Sequence, residues 1–185
     1  MKNIQKVKTK EADEWFSRNY KSLKNDKLNL KIVNLIKNNN ISSKSILEIG
    51  CANGVKLNQY SNILKTKINY GVDLSKKAIL DGRKKYKNLN LLNISSLEIH
   101  KIKTNFDLII CGFFLYHLDR ELIFNQFDLI YNKLNKNGLL LINDFDPLFK
   151  HSNKDTNTKN LISYKMSYDN FLVESGLFEM IYKLK

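Results

Sequence analysis

Apolar residues in this chain recur in two rhythms. Trp15, Phe16, Tyr20 and Leu23 fall at helical spacing and predict a helix over 11–23; Leu28, Ile32, Leu35 and Ile36 predict a second over 28–36. Asn38-Asn39-Asn40 ends that pattern, and Ser42-Ser43 reads as loop. The second rhythm begins with Ile46, Leu47 and Ile49, a run of strand length that Gly50 and Gly54 break. From there short apolar runs alternate with helical stretches. Helices are predicted over 55–64, over 75–86 with Ser75 as N-cap, and over 120–135; strands over 70–73, 89–94, 106–111, 139–142 and 178–184. A last helix ends in 173–178. Lys136-Asn137-Gly138 is predicted to close the helix over 120–135, with Gly138 in the left-handed position, and the polar stretch 149–160 to form a mobile loop. Strands separated by helices define an α/β fold, a mostly parallel twisted sheet with helices on both faces.

Composition narrows the class. The 185 residues suit one domain, 1–185, with 1–40 as an N-terminal helical cap and 41–185 as the α/β core. A hydrophobic content of 43%, with ten Phe and nine Tyr, excludes disorder. There is no apolar run near membrane-spanning length, and 1–10 is polar and basic, so neither membrane nor signal peptide is expected and the location read is cytoplasmic. Cys51 and Cys111 are too few for a disulfide framework and fall at strand ends, where buried free thiols are expected. The net charge of +13 invites a nucleic-acid surface. Of 31 basic residues, however, only Arg18, Arg83 and Arg120 are arginine, so the bidentate donor that reads bases and phosphates is scarce. Abundant Lys, Asn and Ile are what an AT-rich genome imposes on any soluble surface, and the same positive field serves small anionic substrates.

The chemistry gathers at 45–54, SILEIGCANG. Gly50 can take φ > 0 and Gly54 can let a helix pack close to the sheet, the roles glycines play in the first βα turn of nucleotide-binding α/β folds. Glu48 points into that turn. About 20 residues further on, Tyr70-Gly71-Val72-Asp73 ends a strand in an acid, where a ribose diol needs an acceptor. Glu48-x-Gly50-x-Ala52-x-Gly54, Asp73 after its strand and Asn105-Phe106-Asp107-Leu108-Ile109-Ile110 resemble the signature of class I S-adenosylmethionine-dependent methyltransferases. One position departs: Ala52 stands where Gly is usual, and alanine tolerates φ > 0 less well. The stretches 11–19, 106–116 and 164–168 also resemble a narrower group encoded among genes for surface polysaccharides and unusual sugars.

The resemblance implies a Rossmann-like core that lacks the usual seventh strand. With six strands expected instead, the open edge could pair with another copy to form a homo-oligomer. It implies S-adenosylmethionine as cofactor. Glu48, Gly50, Cys51, Ala52 and Gly54 would cradle its methionine and ribose, and Asp73 with Leu74 the ribose hydroxyls. Asn93 and Ile94 would meet adenine, Asn93 accepting through its oxygen where the family often has Asp. Cys111 and Gly112 would lie under the methionine. For the acceptor, Asp144 with nearby Tyr164 is the candidate for binding or general-base chemistry; Arg18, Asn19, His117 and Asp146 are further substrate-side candidates, and His151 lies where the narrower group has a histidine pair. No His and carboxylate cluster has metal-ligand spacing, so no metal is expected. The function implied is methyl transfer to a small-molecule acceptor, a hydroxyl or amine of a sugar or glycan precursor. The competing readings are an RNA-directed methyltransferase and a non-catalytic S-adenosylmethionine-binding partner subunit, the latter motivated by Ala52, Asn93 and the missing strand.

Overall fold

The computed structural model describes residues 2–23, 25–154 and 161–184. Two helices open the chain, α1 (Lys2–Leu23) and α2 (Leu30–Asn38). The core follows as β1 (Ser45–Ile49), α3 (Val55–Leu64), β2 (Ile68–Val72), α4 (Lys76–Lys85), β3 (Asn90–Leu92), β4 (Phe106–Gly112), α5 (Ile123–Lys133) and β5 (Leu134–Asn143). A hairpin, β6 (His151–Lys154) and β7 (Ile162–Lys165), and α6 (Tyr168–Glu174) complete the described elements. β1 to β5 form one parallel sheet in the order β3-β2-β1-β4-β5. Chain order reverses between β1 and β4, which opens a crevice at their carboxyl ends.

Two apolar layers explain why the central strands carry unbroken apolar runs. Leu47 and Ile49 of β1 face one layer with Phe106, Ile109, Phe127 and Ile130; Ile46 faces the other with Leu57, Tyr60, Ile79, Leu91 and Ile110. All five residues of β1 are buried, as a parallel strand covered on both faces requires. Each such large side chain contributes about 1.5–3 kcal/mol relative to exposure. A smaller cluster joins α1 to the core through Phe16 and Leu23 against Ala78, with Tyr20 and Val55 beside them. Ser75 caps α4 as its sequence suggests, its hydroxyl accepting from the Ala78 N–H at 3.0 Å.

Three sequence expectations are corrected. The main sheet has five strands among the described residues instead of six, because 178–184 forms no ladder. Its side chains are anchored elsewhere: Tyr182 donates to Asn39, and Lys183 pairs with Asp146 at 3.1 Å and Asp169 at 2.6 Å. Within 149–160, His151–Lys154 pairs antiparallel with Ile162–Lys165; the remainder of the expected loop, 155–160, lies outside the described residues. Finally, α5 stops at Lys133, and it is Asn137, at φ 61°, that turns left-handed instead of Gly138. Residues 135–138 bulge from the β4–β5 ladder, where pairing jumps from Phe106–Leu134 to Leu108–Leu139. Asn135 pins the bulge by donating to Asp107 at 2.7 Å.

Candidate active site

The turn after β1 is built from left-handed backbone. Gly50 lies at φ 73°, Ala52 at 49° and Gly54 at 79°. The N–H groups of Gly50 and Cys51 donate to Val72 O at 2.9 and 3.1 Å, so the turn hangs from the end of β2. Space is tight around it: a Cβ on Gly50 would lie 3.1–3.4 Å from the Phe114 side chain. Asn53 is buried and donates to Asp81 at 2.8 Å, tying the turn to α4. Ala52 carries a steric cost that glycine would not. We expect Ala52→Gly to stabilise the protein by about 0.5–1 kcal/mol, net of the entropy glycine adds to the unfolded chain. Urea denaturation checks this; a lower midpoint would mean that the Ala52 methyl makes contacts outweighing the strain.

Two carboxylates flank this turn. Asp73, just past β2, accepts from the Ala52 N–H at 2.8 Å and the Ser75 N–H at 2.7 Å. Burial raises its pKa, those two N–H groups oppose the rise, and Asp13 adds to it. Glu48, only 4% exposed, has its pKa pushed up to about 8 by burial, against the attraction of Lys56 and an N–H from Leu57. Its Oε2 is buried with no hydrogen-bond partner. A Cβ built on Gly112 would meet Glu48 Oε1 at 3.9 Å and, apart from its chain neighbours, nothing nearer. Cys51 and Cys111 are buried free thiols whose ionisation burial pushes upward. Asn93 donates its amide hydrogens to Asp73 O and Leu74 O, both at 2.9 Å, which directs its oxygen away from that turn. Ile94 packs at the edge of the core beside Leu92.

On the other side of the crevice, Asp144 follows β5 and accepts from the Phe145 N–H at 2.8 Å and the Tyr116 N–H at 3.3 Å. Burial raises its pKa, and these N–H groups with those of Leu115 and Phe114 pull against the rise. Asp144 thus fixes the short helical turn Leu115–His117 to the end of β5. Phe145 meets Tyr116 and Phe113 edge to face at 5.1 and 5.6 Å, forming an aromatic wall. The His117 ring lies 3.8 Å from that of Tyr116. Tyr164 stacks under the Arg120 guanidinium at 4.6 Å, and Asp146 accepts from Ser167. Arg18 pairs with Glu11 and Asn19 donates to Trp15 O at 2.9 Å, so both bond within α1. His151, in β6, lies against Phe149 O at 3.0 Å.

Sequence reasoning missed Asp13 and Arg120. Asp13, on α1, accepts from Ser75 Oγ at 2.7 Å and the Lys77 N–H at 2.9 Å, more than 60 positions away. No local pattern announces such a contact. Arg120 donates to Leu115 O at 2.9 Å, Leu118 O at 2.8 Å and Tyr168 Oη at 3.2 Å, joining the turn after β4 to α6. Its rarity in a lysine-rich chain was the one available signal. Among the described residues no group of His, Cys, Asp and Glu is placed to hold a metal, and no helix is long and apolar enough to cross a membrane.

Comparison with known proteins agrees with this layout. The profile of a methyltransferase domain family matches residues 40–178, and the chain belongs to that family. An uncharacterized protein of Rickettsia prowazekii (strain Madrid E), RP028, is 31% identical over 107 residues, 55% of this chain and 43% of that protein. The chain therefore spans less than half the length of this curated relative. DesVI of Streptomyces venezuelae superposes with a TM-score of 0.61 at 13% identity, covering 80% of each chain. CalS10 of Micromonospora echinaspora, an amino pentose methyltransferase solved with S-adenosylmethionine bound, superposes at 0.54 with 14% identity, covering 67% of this chain and 55% of its own. Such likeness establishes the fold, a Rossmann-like class I methyltransferase sheet.

Proposed function

We propose that this protein transfers a methyl group from S-adenosylmethionine to a small-molecule acceptor, a hydroxyl or amine of a sugar or glycan precursor. The observation that carries the reading is the left-handed turn 50–54 beside Asp73, at the switch point of the parallel sheet. The residues present fit the cofactor. Glu48 offers a carboxylate with an unmatched oxygen, Gly112 leaves room beside it, and each Asp73 oxygen keeps a lone pair beyond the N–H it accepts. Glu48, the 50–54 backbone, Cys111 and Gly112 would hold the methionine part, Asp73 and Leu74 the ribose, and Asn93 and Ile94 the adenine. Bound there, the cofactor supplies an electrophilic methyl on a sulfonium centre.

The chain's own contribution is orientation. Phe114 closes against Gly50, and the aromatic wall of Phe113, Tyr116 and Phe145 gives the acceptor flat apolar faces. Asp144, bonded to the N–H groups of the 114–116 turn, acts as a positioning residue for that turn, with Tyr164 and Arg120 beyond it. Arg18, Asn19, His117 and Asp146 remain the outer candidates on the acceptor side.

Calorimetric titration with S-adenosylhomocysteine tests the reading. Micromolar binding is expected, reduced at least 100-fold in Asp73→Ala and less in Asp73→Asn, which keeps one acceptor oxygen for the turn. Thermal denaturation of both variants separates loss of the site from loss of the fold. No binding by the native chain would end the proposal. With binding established, nucleotide sugars are the first acceptors to assay; tight RNA binding that falls steeply with salt would redirect the search to RNA.

A further inference from the structure

The parallel sheet sorts the protein's charge by end. The segments that lead into its five strands, 39–44, 65–67, 86–89 and 102–105 with the 135–138 bulge of β5, carry Lys44, Lys65, Lys67, Lys87, Lys103 and Lys136 and not one acid. The turns that leave the same strands, 50–54, 73–75, 93–95, 113–119 and 144–150, carry Asp73, Asp119, Asp144 and Asp146 against Lys150 alone. A lysine-rich composition raises the count at both ends equally; it does not separate the signs. All six lysines are exposed, and among the described residues none makes an ion pair. The acid nearest to them along β4, Asp107, is occupied by the N–H groups of Lys44 and Ser45 at 2.8 and 3.1 Å and by Asn135 at 2.7 Å. Lys133 adds a buried cation at this end, held by Ile102 O and Thr104 O.

We propose that the amino end of the sheet is a docking face for a nucleic-acid strand, held by its phosphate backbone and not by its bases. In sheet order the row runs from Lys87 through Lys65 and Lys67, then Lys44 and Lys103, to Lys136. Five strand ends at the usual spacing span about 19 Å, over which a nucleic-acid strand presents about five phosphates. Exposed Asn40, Asn88, Asn105 and Asn137 stand between the lysines and offer amide donors to phosphate and sugar oxygens. Arginine is absent from these segments, so the bidentate contact that reads guanine is missing and no sequence preference is expected. Their apolar residues, Ile41, Tyr86, Leu89 and Ile102, are all at least partly buried, which leaves no apolar side chain to enter a lipid surface. The face lies at the far end of the strands from the crevice, so binding there is docking and not acceptor recognition. It does not depend on the methyl-transfer reading.

Fluorescence anisotropy with a labelled oligouridylate of about 20 nucleotides, between about 50 and 200 mM KCl, tests the proposal. At the lower salt the native chain is expected to bind with a dissociation constant on the order of 10 μM, and log K should fall against log salt with a slope of about −3.5, five phosphates at about −0.7 each. The triple variant Lys67→Glu, Lys103→Glu, Lys136→Glu should bind at least about tenfold more weakly, with the slope reduced by about 2. A control with the same change in net charge, Lys27→Glu, Lys150→Glu, Lys154→Glu, alters no segment entering the main sheet and should lose less than about threefold. No binding by the native chain at the lower salt would overturn the proposal. Equal losses in the two triples would reduce the effect to net charge, and undiminished binding in the first would place the strand elsewhere, the crevice included; either result overturns it. Vesicles of phosphatidylserine and phosphatidylcholine that bind more tightly than the oligouridylate, and are lost in the first triple, would assign the face to a membrane surface and overturn it too. Should the glutamate triple unfold, Lys67→Gln, Lys103→Gln, Lys136→Gln removes the same charges without reversing them, and an unchanged slope there would be equally fatal.

Discussion

At pH 8.5 the unliganded Glu48→Gln protein is expected to be more stable than the native one, by on the order of 3 kcal/mol, or roughly 6–12 °C in midpoint for a chain of this size. The sign follows from linkage. The folded carboxyl ionises at about 8 and the unfolded one near 4.5, so between those values the folded chain holds more protons than the unfolded. Stability is therefore full below about pH 4.5, declines as pH rises, and levels off above about 8. Burial of Asp73 and Asp144 acts in the same direction and leaves a residual slope in the variant. Glutamine removes only the Glu48 share. Thermal denaturation of both proteins from pH 5 to 9 measures the difference; identical slopes would mean that Glu48 does not carry the charge cost described.

Gly82→Ala should destabilise the protein by about 2 kcal/mol or more, although alanine in mid-helix normally gains about 1 kcal/mol over glycine. In α4 a Cβ at this position would lie 2.3 Å from Asn53 O, 2.9 Å from Asn53 C and 2.5 Å from Leu91 Cδ1. The first two are backbone atoms of the turn after β1, so relief requires moving either the helix or the turn. A lower denaturant midpoint together with weaker S-adenosylhomocysteine binding is expected. A more stable variant would show that helix propensity outweighs the contact.

The sequence made the core legible where a single physical requirement dominated. The apolar run of β1, the Ser75 cap and the 55–64 helix follow from local pattern, and the helix bounds match residue for residue. Ala52 could be recognised as a glycine position, and it takes positive φ at 49°. The failures share another cause. Gly82 looks like a helix imperfection until Asn53 is brought beside it, and Asp13 looks like a surface acid until the first turn of α4 is brought to its carboxylate. The segment 178–184 alternates as a strand should, yet alternation cannot say whether a ladder is available, and Tyr182 and Lys183 found other partners. Asp144 was visible as an acid at the right end of the sheet. That its oxygens face the N–H groups of a turn 28 positions earlier was not.

The contacts of α1 bear on where this protein can be cut. The family profile begins at residue 40, and a boundary drawn there would treat the first helix as an appendage. Removing it would strip the acceptor from Ser75 Oγ and the Lys77 N–H, lay bare the Ala78 and Val55 patch, and break the 2.6 Å ion pair between Lys8 and Asp119 in the loop after β4. One helix thus reaches both banks of the crevice, the side of Asp73 and the side of the aromatic wall. The smallest stable unit is set by these cross-links, and a fragment starting at the profile's edge would leave the two sides of the crevice untied.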